Sequence, residues 1–288
     1  MDMKFYDAHI HFCYTCHTDH LTHIFMQLKE IGIKGFDAFF MAEFPPEITP
    51  ILEMIPGDYH DGITLNTLSN QKDPFPLIGK ATDLEIVPYL DARFIETGIE
   101  QKIQMYRAAG FKGLKLLYVP EEDSGLKISG MQKAFGRTPK QSERITSLLI
   151  DNASIQEMFI TIHADLRKYG QFIENMIKEH PMTNFNICHF GFSRKAVSTL
   201  LDKYPNCFTD LSSLGPFMAK SPSSYLDFIK HYQDKVLFGS DALVGRPENV
   251  ESSSRFFGGR LDDPELIEKV FSRNYLAFHK RAIGREEI

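Results

Sequence analysis

KFYDAHIHF (residues 4–12) is the first of eight short apolar runs along the chain, and their recurrence decides the fold. The runs are rich in Phe, Ile, Leu and Val, a composition typical of strands that are buried on both faces. The other seven are GFDAFFMAEF (35–44), LEIVPYLDA (84–92), FKGLKLLYV (111–119), MFITIHA (158–164), NFNICHFG (184–191), NCFTDLS (206–212) and VLFGSDA (236–242). Each run predicts one strand.

Segments with helical periodicity separate most of these runs. The first such segment places on one helical face Leu21, Ile24, Phe25 and Leu28. A last helix is expected near Asp263-Pro264, because Asp can cap a helix and Pro suits its first turn. Strands that alternate with helices predict a parallel α/β sheet. Eight units in 288 residues favour a closed (β/α)₈ barrel, a TIM barrel, over an open doubly wound sheet. We expect one domain spanning residues 1–288.

Two connections are longer than the others, 45–83 and 120–157. Both follow predicted strands, so both belong to the C-terminal face, where barrel enzymes place their active sites. We expect these two connections to cap a pocket on that face.

Composition excludes several classes of protein. Hydrophobic residues make up 43% and charged residues 24%, which excludes a disordered or collagen-like chain. The net charge is −6, and the sequence has no cluster of basic residues, so it lacks the positive patch typical of nucleic-acid-binding proteins. No apolar stretch approaches the ~18 residues of a membrane helix. The N-terminus lacks a signal-peptide core, so we expect a cytoplasmic protein with a small-molecule substrate, and a homodimer as the commonest assembly.

His9 and His11 form the strongest local chemical signal. Residues two apart on a strand point to the same face, so both imidazoles would project to one side near the strand end. Two neutral imidazoles held in this way can supply half of a zinc site. Taken alone the pair is also compatible with ordinary polar residues.

Three further polar residues end otherwise apolar runs. His163 ends the fifth run, His189 ends the sixth, and Asp241 ends the eighth. A core histidine with satisfied hydrogen bonds could explain any one of these positions, but it explains all five together poorly. The pattern therefore predicts a shared metal site at the C-terminal face of the barrel.

These motifs resemble the amidohydrolase superfamily of metal-dependent barrel enzymes, and most closely its amidohydrolase-related branch of hydrolases and non-oxidative decarboxylases. The resemblance covers essentially the whole chain. It rests on DAHIHF (7–12), GFKGLKLL (110–117), ITIHAD (160–165), CHFG (188–191), FGSDA (238–242) and a terminal SRNYLAFHK (272–280). The ordered set indicates the superfamily and leaves the substrate open.

The resemblance implies a role for each of the five residues. His9, His11 and His163 would bind the metal, and Asp241 would bind it and move the proton. His189 would bind a second metal or polarise the substrate. A metal lowers the pKa of bound water from 15.7 to about 7. The nitrogen-rich ligand set favours Zn²⁺, although Mn²⁺, Fe²⁺ and Co²⁺ would fit the same ligands.

Lys115, in the fourth run, has three interpretations. Some superfamily members carry a carboxylated lysine on the fourth strand that bridges two metals, so Lys115 and His189 could hold a second ion. Lys115 could instead bind an anionic substrate, or pair with a neighbouring carboxylate. A single metal is the rule in the branch that the chain resembles.

Other residues near strand ends could contact a substrate. Arg93, Arg194 and Arg246 would suit a substrate carboxylate, although each could equally be a solvated arginine or part of a structural ion pair. A substrate-lining role and simple packing are both open for Glu43, Tyr118 and Phe12. Asp7 is either a hydrogen-bond partner behind the metal ligands or a polar residue of the strand.

Cys13-Tyr14-Thr15-Cys16-His17 matches the C-x-x-C-H pattern of c-type haem attachment. Eight strands do not suit a small cytochrome, and a structural zinc would need a second ligand pair; His20 and His23 are near but are expected on a helix. With Cys188 and Cys207, four cysteines in this length do not resemble a disulfide framework. We interpret residues 13–17 as an ordinary loop with free thiols.

The sequence leaves three functions open. The first is hydrolysis of a C–N or C–O bond in a small polar substrate, such as an amide or lactone, by metal-activated water with Asp241 as general base and acid. The second is non-oxidative decarboxylation of a small carboxylic acid by the same residues. The third is a barrel that binds metal or ligand without catalysis.

Overall fold

Nine parallel strands form one continuous sheet, and the predicted barrel is confirmed. The computed structural model describes residues 4–12, 18–40, 83–124 and 128–283. Its strands are β1 (Phe5–His11), β2 (Ile33–Phe40), β3 (Glu85–Asp91), β4 (Gly113–Tyr118), β5 (Phe159–Ala164), β6 (Phe185–Ile187), β7 (Cys207–Asp210), β8 (Val236–Leu237) and β9 (Ala242–Leu243). Their order across the sheet is β8-β7-β6-β5-β4-β3-β2-β1-β9.

The eighth apolar run closes the barrel, because it pairs with both ends of the sheet. Its first part, β8, pairs with β7, and its last part, β9, pairs with β1. The carbonyl of Leu237 accepts from the amide of Leu211, and the next carbonyl, of Phe238, accepts from the amide of Ala8, both near 3 Å. The run is interrupted between its two short strands, and Asp241 lies in that interruption.

Helices cover the outside of the sheet, and their apolar faces join the strands in one large core. They are α1 (Thr18–Ile31), α2 (Ile99–Ala108), α3 (Gly130–Phe135), α4 (Pro139–Ile155), α5 (Leu166–Glu179), α6 (Arg194–Lys203), α7 (Gly215–Lys220), α8 (Pro222–His231), α9 (Pro247–Gly258), α10 (Pro264–Glu268) and α11 (Asn274–Ile283). None of the described helices is long and apolar enough to cross a membrane.

The connection 120–157 is shorter as a loop than the sequence suggests, because its second half is α4. Thr138 and Gln141 form a capping box at the start of this helix, and Pro139 occupies its first turn. Its buried face includes Ile145 and Leu149. The part before α4 follows β4, as expected for the C-terminal face. The other long connection, 45–83, lies outside the described residues except for Asp83.

The C-terminal helix, α11, closes the N-terminal end of the barrel. Asp263 caps α10 and Pro264 begins it, as predicted, and a π-helical turn (Lys269–Arg273) then leads into α11. Tyr275 of α11 stacks on Tyr6 near the start of β1. Phe278 packs against Phe159 at the start of β5. The N-terminal mouth is therefore filled by side chains, which leaves the C-terminal mouth for a site.

Candidate metal centre

A β-bulge in β1 sets the direction of the two histidines. Asp7 pairs with Phe36 and Ile10 with Ala38, so three steps along β1 match two along β2. The carboxylate of Asp7 accepts hydrogen bonds from the amides of His9 (2.9 Å) and Ser240 (3.0 Å). Asp7 therefore fixes the backbone of the bulge. Burial raises the pKa of Asp7 to about 7 against these hydrogen bonds.

His9 and His11 converge on one oxygen atom. The Nε2 atoms of both side chains lie 3.1 Å from Oδ1 of Asp241. Ser213 donates a hydrogen bond to the other oxygen, Oδ2, at 2.5 Å. Residues that the sequence separates by more than 200 positions thus meet at the junction of β1 with the eighth run, as the closure of the barrel requires.

Four imidazoles form a connected row inside the barrel mouth. The ring centroids of His11 and His9 are 5.3 Å apart, those of His9 and His189 are 5.2 Å apart, and those of His189 and His163 are 5.1 Å apart. All five residues predicted from strand ends are therefore neighbours. The row places Asp241 beside His11 and His9, whereas His163 is joined to them through His189.

Asp210, the last residue of β7, organises two of these rings. Its Oδ2 accepts from Nδ1 of His9 at 3.0 Å and from Nδ2 of Asn186 at 2.9 Å. Its Oδ1 accepts from the amide of His189 at 2.9 Å and from the hydroxyl of Ser212. Sequence reasoning missed Asp210, although it is a polar residue at the end of an apolar run like the other five.

The same contacts fix which ring nitrogen of each histidine carries hydrogen. A carboxylate can only accept, so Nδ1 of His9 is a donor to Asp210. The carbonyl of Ser212 lies 2.8 Å from Nδ1 of His189, so that nitrogen is a donor as well. In neutral His189 the lone pair is then on Nε2, whereas Nε2 of His9 also faces a carboxylate, Oδ1 of Asp241, and offers its lone pair once it has lost a proton. Both histidines are thereby oriented to offer Nε2 as a ligand atom.

A run of left-handed backbone places His189. The φ angles of His189, Phe190, Gly191 and Phe192 all lie between 54° and 59°. Asp241 (φ 61°) and Ser213 (φ 55°) share this conformation. Left-handed backbone costs about 1–2 kcal/mol for each non-glycine residue, and such strain concentrates at functional sites.

Gly239 is required by the crowding behind His9. A Cβ atom at position 239 would lie 2.9 Å from Cβ of His9, which is closer than real Cβ contacts. It would also lie 3.4 Å from Cβ of Ser212. The glycine in FGSDA therefore lets the eighth run pass close to the histidine that the site depends on.

The electrostatics favour the neutral form of His11, His163 and His189 and the ionised form of Asp241. Burial lowers the pKa of His11 to about 4, against the opposing effect of Asp241. Burial also lowers the pKa values of His163 and His189. For Asp241, burial opposes ionisation, but His9, His11 and His189 together hold its pKa well below the usual range. Neutral imidazoles and an ionised carboxylate are the forms that bind a metal.

His9 differs from the other three histidines. Burial and Lys115 lower its pKa, but Asp241, Cys188 and Asp210 together outweigh them and raise it well above its ordinary value. A cation that binds Nε2 of His9 would therefore displace a proton.

Lys115 lies inside the same cluster. It is almost fully buried on β4, with Nζ 3.2 Å from Nε2 of His9, 3.1 Å from Sγ of Cys188 and 4.7 Å from the ring centroid of Phe39. Whether Lys115 bridges two metals or binds an anion stays a prediction.

The residues present fit a divalent metal. His9, His11 and Asp241 each offer a ligand atom, and these atoms lie within 4.8 Å of one another; the same is true of His9, Cys188 and His189. Nε2 of His163 is buried and has no hydrogen-bond partner among the described residues. An orphaned imidazole nitrogen beside such a donor set suits a ligand position, because a buried polar atom otherwise requires a partner.

The three arginines predicted to contact substrate have other partners. Arg93 forms a buried bidentate pair with Asp91, with Nε–Oδ1 at 2.9 Å and Nη2–Oδ2 at 2.7 Å. Arg194 donates to Ser224 and stacks 4.0 Å from the ring centroid of Tyr225 on α8. Arg246 is exposed and lies 3.6 Å from Glu248. Substrate binding by these arginines stays a prediction.

The remaining candidates are packing residues or lie outside the described part of the chain. Phe12 is buried against Phe40, and Tyr118 packs on Phe172, so packing explains both. Glu43 and the Cys13–His17 motif are outside the described residues.

The chain is similar to a family model and to several solved structures. Residues 171–277 match the family model "Amidohydrolase". A search of curated protein sequences finds no match. An uncharacterised TIM-barrel protein from Bordetella bronchiseptica has a TM-score of 0.61 at 14% identity, over 98% of this chain and 100% of that one. A TatD homologue from Escherichia coli K12 has a TM-score of 0.60 at 14% identity, over 96% and 98%.

A third similar structure is 5-methylcytosine deaminase from Klebsiella pneumoniae, liganded with phosphonocytosine. Its TM-score is 0.59 at 9% identity, over 96% of this chain and 75% of that one. Identities this low show the fold alone. The family match over residues 171–277 supports the resemblance to the amidohydrolase superfamily.

Proposed function

We propose that this protein is a metal-dependent hydrolase that cleaves a C–N or C–O bond, such as an amide or lactone, in a small polar substrate. One observation carries the proposal. His9 and His11 present Nε2 to the same carboxylate oxygen of Asp241, at 3.1 Å each, in the mouth of the barrel. Two imidazoles and a carboxylate on a shared point form a ligand set for a divalent ion and place a proton acceptor beside it.

His9, His11 and Asp241 would hold the ion, and His163 would complete the set with its unpartnered Nε2. When bound, a divalent metal supplies a Lewis acid and lowers the pKa of a bound water to near 7. Three nitrogens and one oxygen favour zinc, and manganese, iron or cobalt remain compatible with the same ligands.

Asp241 accepts the proton of the attacking water and returns it to the leaving group. Its carboxylate is ionised because His9, His11 and His189 hold its pKa well below the usual range. Ser213 anchors Oδ2 by a hydrogen bond, so the orientation of the carboxylate is set before substrate arrives. Such preorganisation is worth most where the group would otherwise rotate freely.

His189 acts as a neutral imidazole. Its Nδ1 hydrogen is committed to the carbonyl of Ser212, and burial lowers its pKa. Its Nε2 therefore offers a lone pair. This favours a role as a ligand or proton acceptor over the substrate-polarising role that the resemblance also implies.

The similarity to a deaminase and the family match support hydrolytic chemistry. A carboxy-lyase would use the same histidines and carboxylate, so product analysis must decide between the two reactions. A binding barrel without catalysis would hold the metal and turn over nothing.

The test is elemental metal analysis of protein purified without added metal or chelator, followed by assays against amides, lactones and carboxylic acids. We expect about one equivalent of a transition metal and hydrolysis of at least one amide or lactone. Asp241→Asn should abolish turnover, and His163→Ala should lose metal. His180→Ala, whose ring pairs with Asp151 on the outer surface, is the matched control and should change neither property.

Three outcomes would contradict the proposal. Release of CO₂ would identify the lyase. Bound metal without turnover of any substrate would favour the binding barrel. A wild-type protein that takes up no metal after reconstitution with zinc or manganese would remove the metal mechanism altogether.

A further inference from the structure

Cys188 differs from Cys207, the other cysteine in the described part of the chain. Both side chains are fully buried. Cys207 belongs to the apolar core, and burial raises the pKa of its thiol to about 12. Cys188 instead contacts Nζ of Lys115 at 3.1 Å, inside the histidine cluster. A buried thiol that faces a polar site is placed for chemistry, whereas one in the core is placed for packing.

The left-handed turn after β6 accounts for the position of Cys188. In a regular strand, consecutive side chains point to opposite faces, so Cys188 and His189 could not share a site. The turn begins at Cys188 and is left-handed from His189 (φ 56°) onward, which breaks the alternation. Both side chains consequently join one cluster with His9. Strained backbone of this kind persists where the surrounding structure and function require it.

The donor atoms of Cys188, His9 and His189 lie within 4.8 Å of one another, and all three residues are buried. Both histidines have Nδ1 committed to Asp210 or Ser212, which leaves Nε2. Nζ of Lys115 contacts two members of the set, at 3.1 Å from Sγ of Cys188 and 3.2 Å from Nε2 of His9. Both ligand atoms therefore face one common point inside the barrel mouth.

We propose that Cys188, His9 and His189 form a second, sulfur-containing position for a thiophilic divalent cation of the zinc class. This inference rests on the proposed function, because it shares His9 with the position formed by His11 and Asp241. Since a single Nε2 binds one ion, the two positions are alternatives. Soft thiolate selects zinc-like ions, whereas the carboxylate position also suits manganese.

Binding at this position is an exchange that requires no oxidant. The thiol of Cys188 and the ring of His9 each give up a proton to solvent, the thiolate and Nε2 bind the cation, and Lys115 gives up its contacts with both residues. Because Asp241 belongs to the alternative position, an ion held by Cys188 lies away from the proton acceptor.

The experiment is a cobalt titration of metal-free protein, followed by absorption spectroscopy. Cobalt(II) bound to thiolate gives a ligand-to-metal charge-transfer band in the near ultraviolet, and histidine or carboxylate ligands do not. The background is the Cys13→Ser/Cys16→Ser protein, because those two thiols could also bind cobalt. We expect the band in this background, its loss when Cys188→Ser is added, and its retention in Cys207→Ser.

Affinities provide a second readout. Cys188→Ser should weaken zinc binding about tenfold or more, since it removes a ligand, while manganese binding should change less than about twofold. If the serine variant fails to fold, X-ray absorption of the zinc-loaded background protein replaces it. A sulfur neighbour at about 2.3 Å is then expected.

The inference is overturned if the band survives Cys188→Ser, if zinc affinity is unchanged, or if zinc has only nitrogen and oxygen neighbours. Its failure is distinguishable from that of the proposed function. Manganese-dependent hydrolysis without any thiolate band would remove the sulfur position alone. A protein that binds neither cobalt nor manganese would remove both.

Discussion

Oδ2 of Asp210 accepts a hydrogen bond from Nδ1 of His9 at 3.0 Å, deep inside the barrel mouth. The carboxylate is fully buried, and His9 and His189 outweigh the effect of burial and hold its pKa below the usual range. Because the ionised carboxylate only accepts, it fixes Nδ1 of His9 as a donor and directs Nε2 toward Asp241 and Lys115. A residue outside the ligand set thus determines how a ligand is presented.

Asp210→Asn should lower metal affinity by about 10–100-fold. The amide keeps the size of the side chain but loses the charge that orients and polarises His9. A competition titration against a chelator of known affinity measures the change. Asp202→Asn, which removes a surface carboxylate bonded to Tyr232, is the control. Equal affinities in wild type and Asp210→Asn would show that the contact does not tune the site.

Gly239→Ala should destabilise the protein by about 1–3 kcal/mol and weaken metal binding, because the added Cβ would lie 2.9 Å from Cβ of His9. Gly245→Ala is the matched control, since a Cβ there meets nothing within 4 Å. Its effect should stay within about 0.5 kcal/mol. Urea unfolding measures the stability of both variants. A similar loss of unfolding free energy in the two would refute the steric explanation.

Asp37→Asn should destabilise the fold by about 3–5 kcal/mol while leaving metal affinity nearly unchanged. Oδ1 of Asp37 accepts from the hydroxyl of Tyr275 at 2.8 Å and lies 3.1 Å from Nε2 of His279, so it fastens α11 into the N-terminal mouth. Tyr275→Phe should cost less, about 1 kcal/mol, because it removes one hydrogen bond. Urea unfolding with a parallel metal titration tests this, and loss of metal binding in folded Asp37→Asn would contradict the separation of the two ends.

Removal of metal with a chelator should lower the unfolding temperature, because the ion binds the native state only. At a free concentration 100 times the dissociation constant the ion contributes about 2.7 kcal/mol. Differential scanning calorimetry with and without added zinc or manganese measures the shift. Asp241→Asn should show a much smaller response. An identical metal-dependent shift in that variant would place the stabilising ion elsewhere.

Cys207 should resist alkylation in the native protein. Burial raises the pKa of its thiol to about 12. At pH 8.5 the rate of alkylation of Cys207 should therefore be at least about 10³-fold below that of a free cysteine. Peptide mass spectrometry after iodoacetamide treatment, in buffer and in urea, gives the comparison. Because the folded thiol keeps its proton to higher pH than the unfolded one, its contribution to stability falls as pH rises above about 9. Rapid native labelling would indicate that the core around Cys207 opens.

Much of this molecule follows from its sequence alone. Each described strand coincides with one of the eight apolar runs, the eighth run supplying two, because strands buried on both faces need near-continuous hydrophobic residues. The polar residues that interrupt this pattern predict the five clustered side chains, since parallel strands bring their C-terminal ends to one face. His9 and Asp241, at opposite ends of the chain, are placed together by closure of the sheet.

The tertiary structure decides what periodicity cannot express. The bulge in β1 lets the carboxylate of Asp7 accept from the amides of His9 and Ser240, and the left-handed turn after β6 adds Cys188 to the site; both depart from regular strand geometry. The contact between Asp210 and His9 depends on the position of β7 relative to β1 in the barrel, so the sequence pattern alone does not predict it. Local pattern determined the elements and their ends, whereas the orientation of each ring was determined by hydrogen bonds between residues distant in sequence.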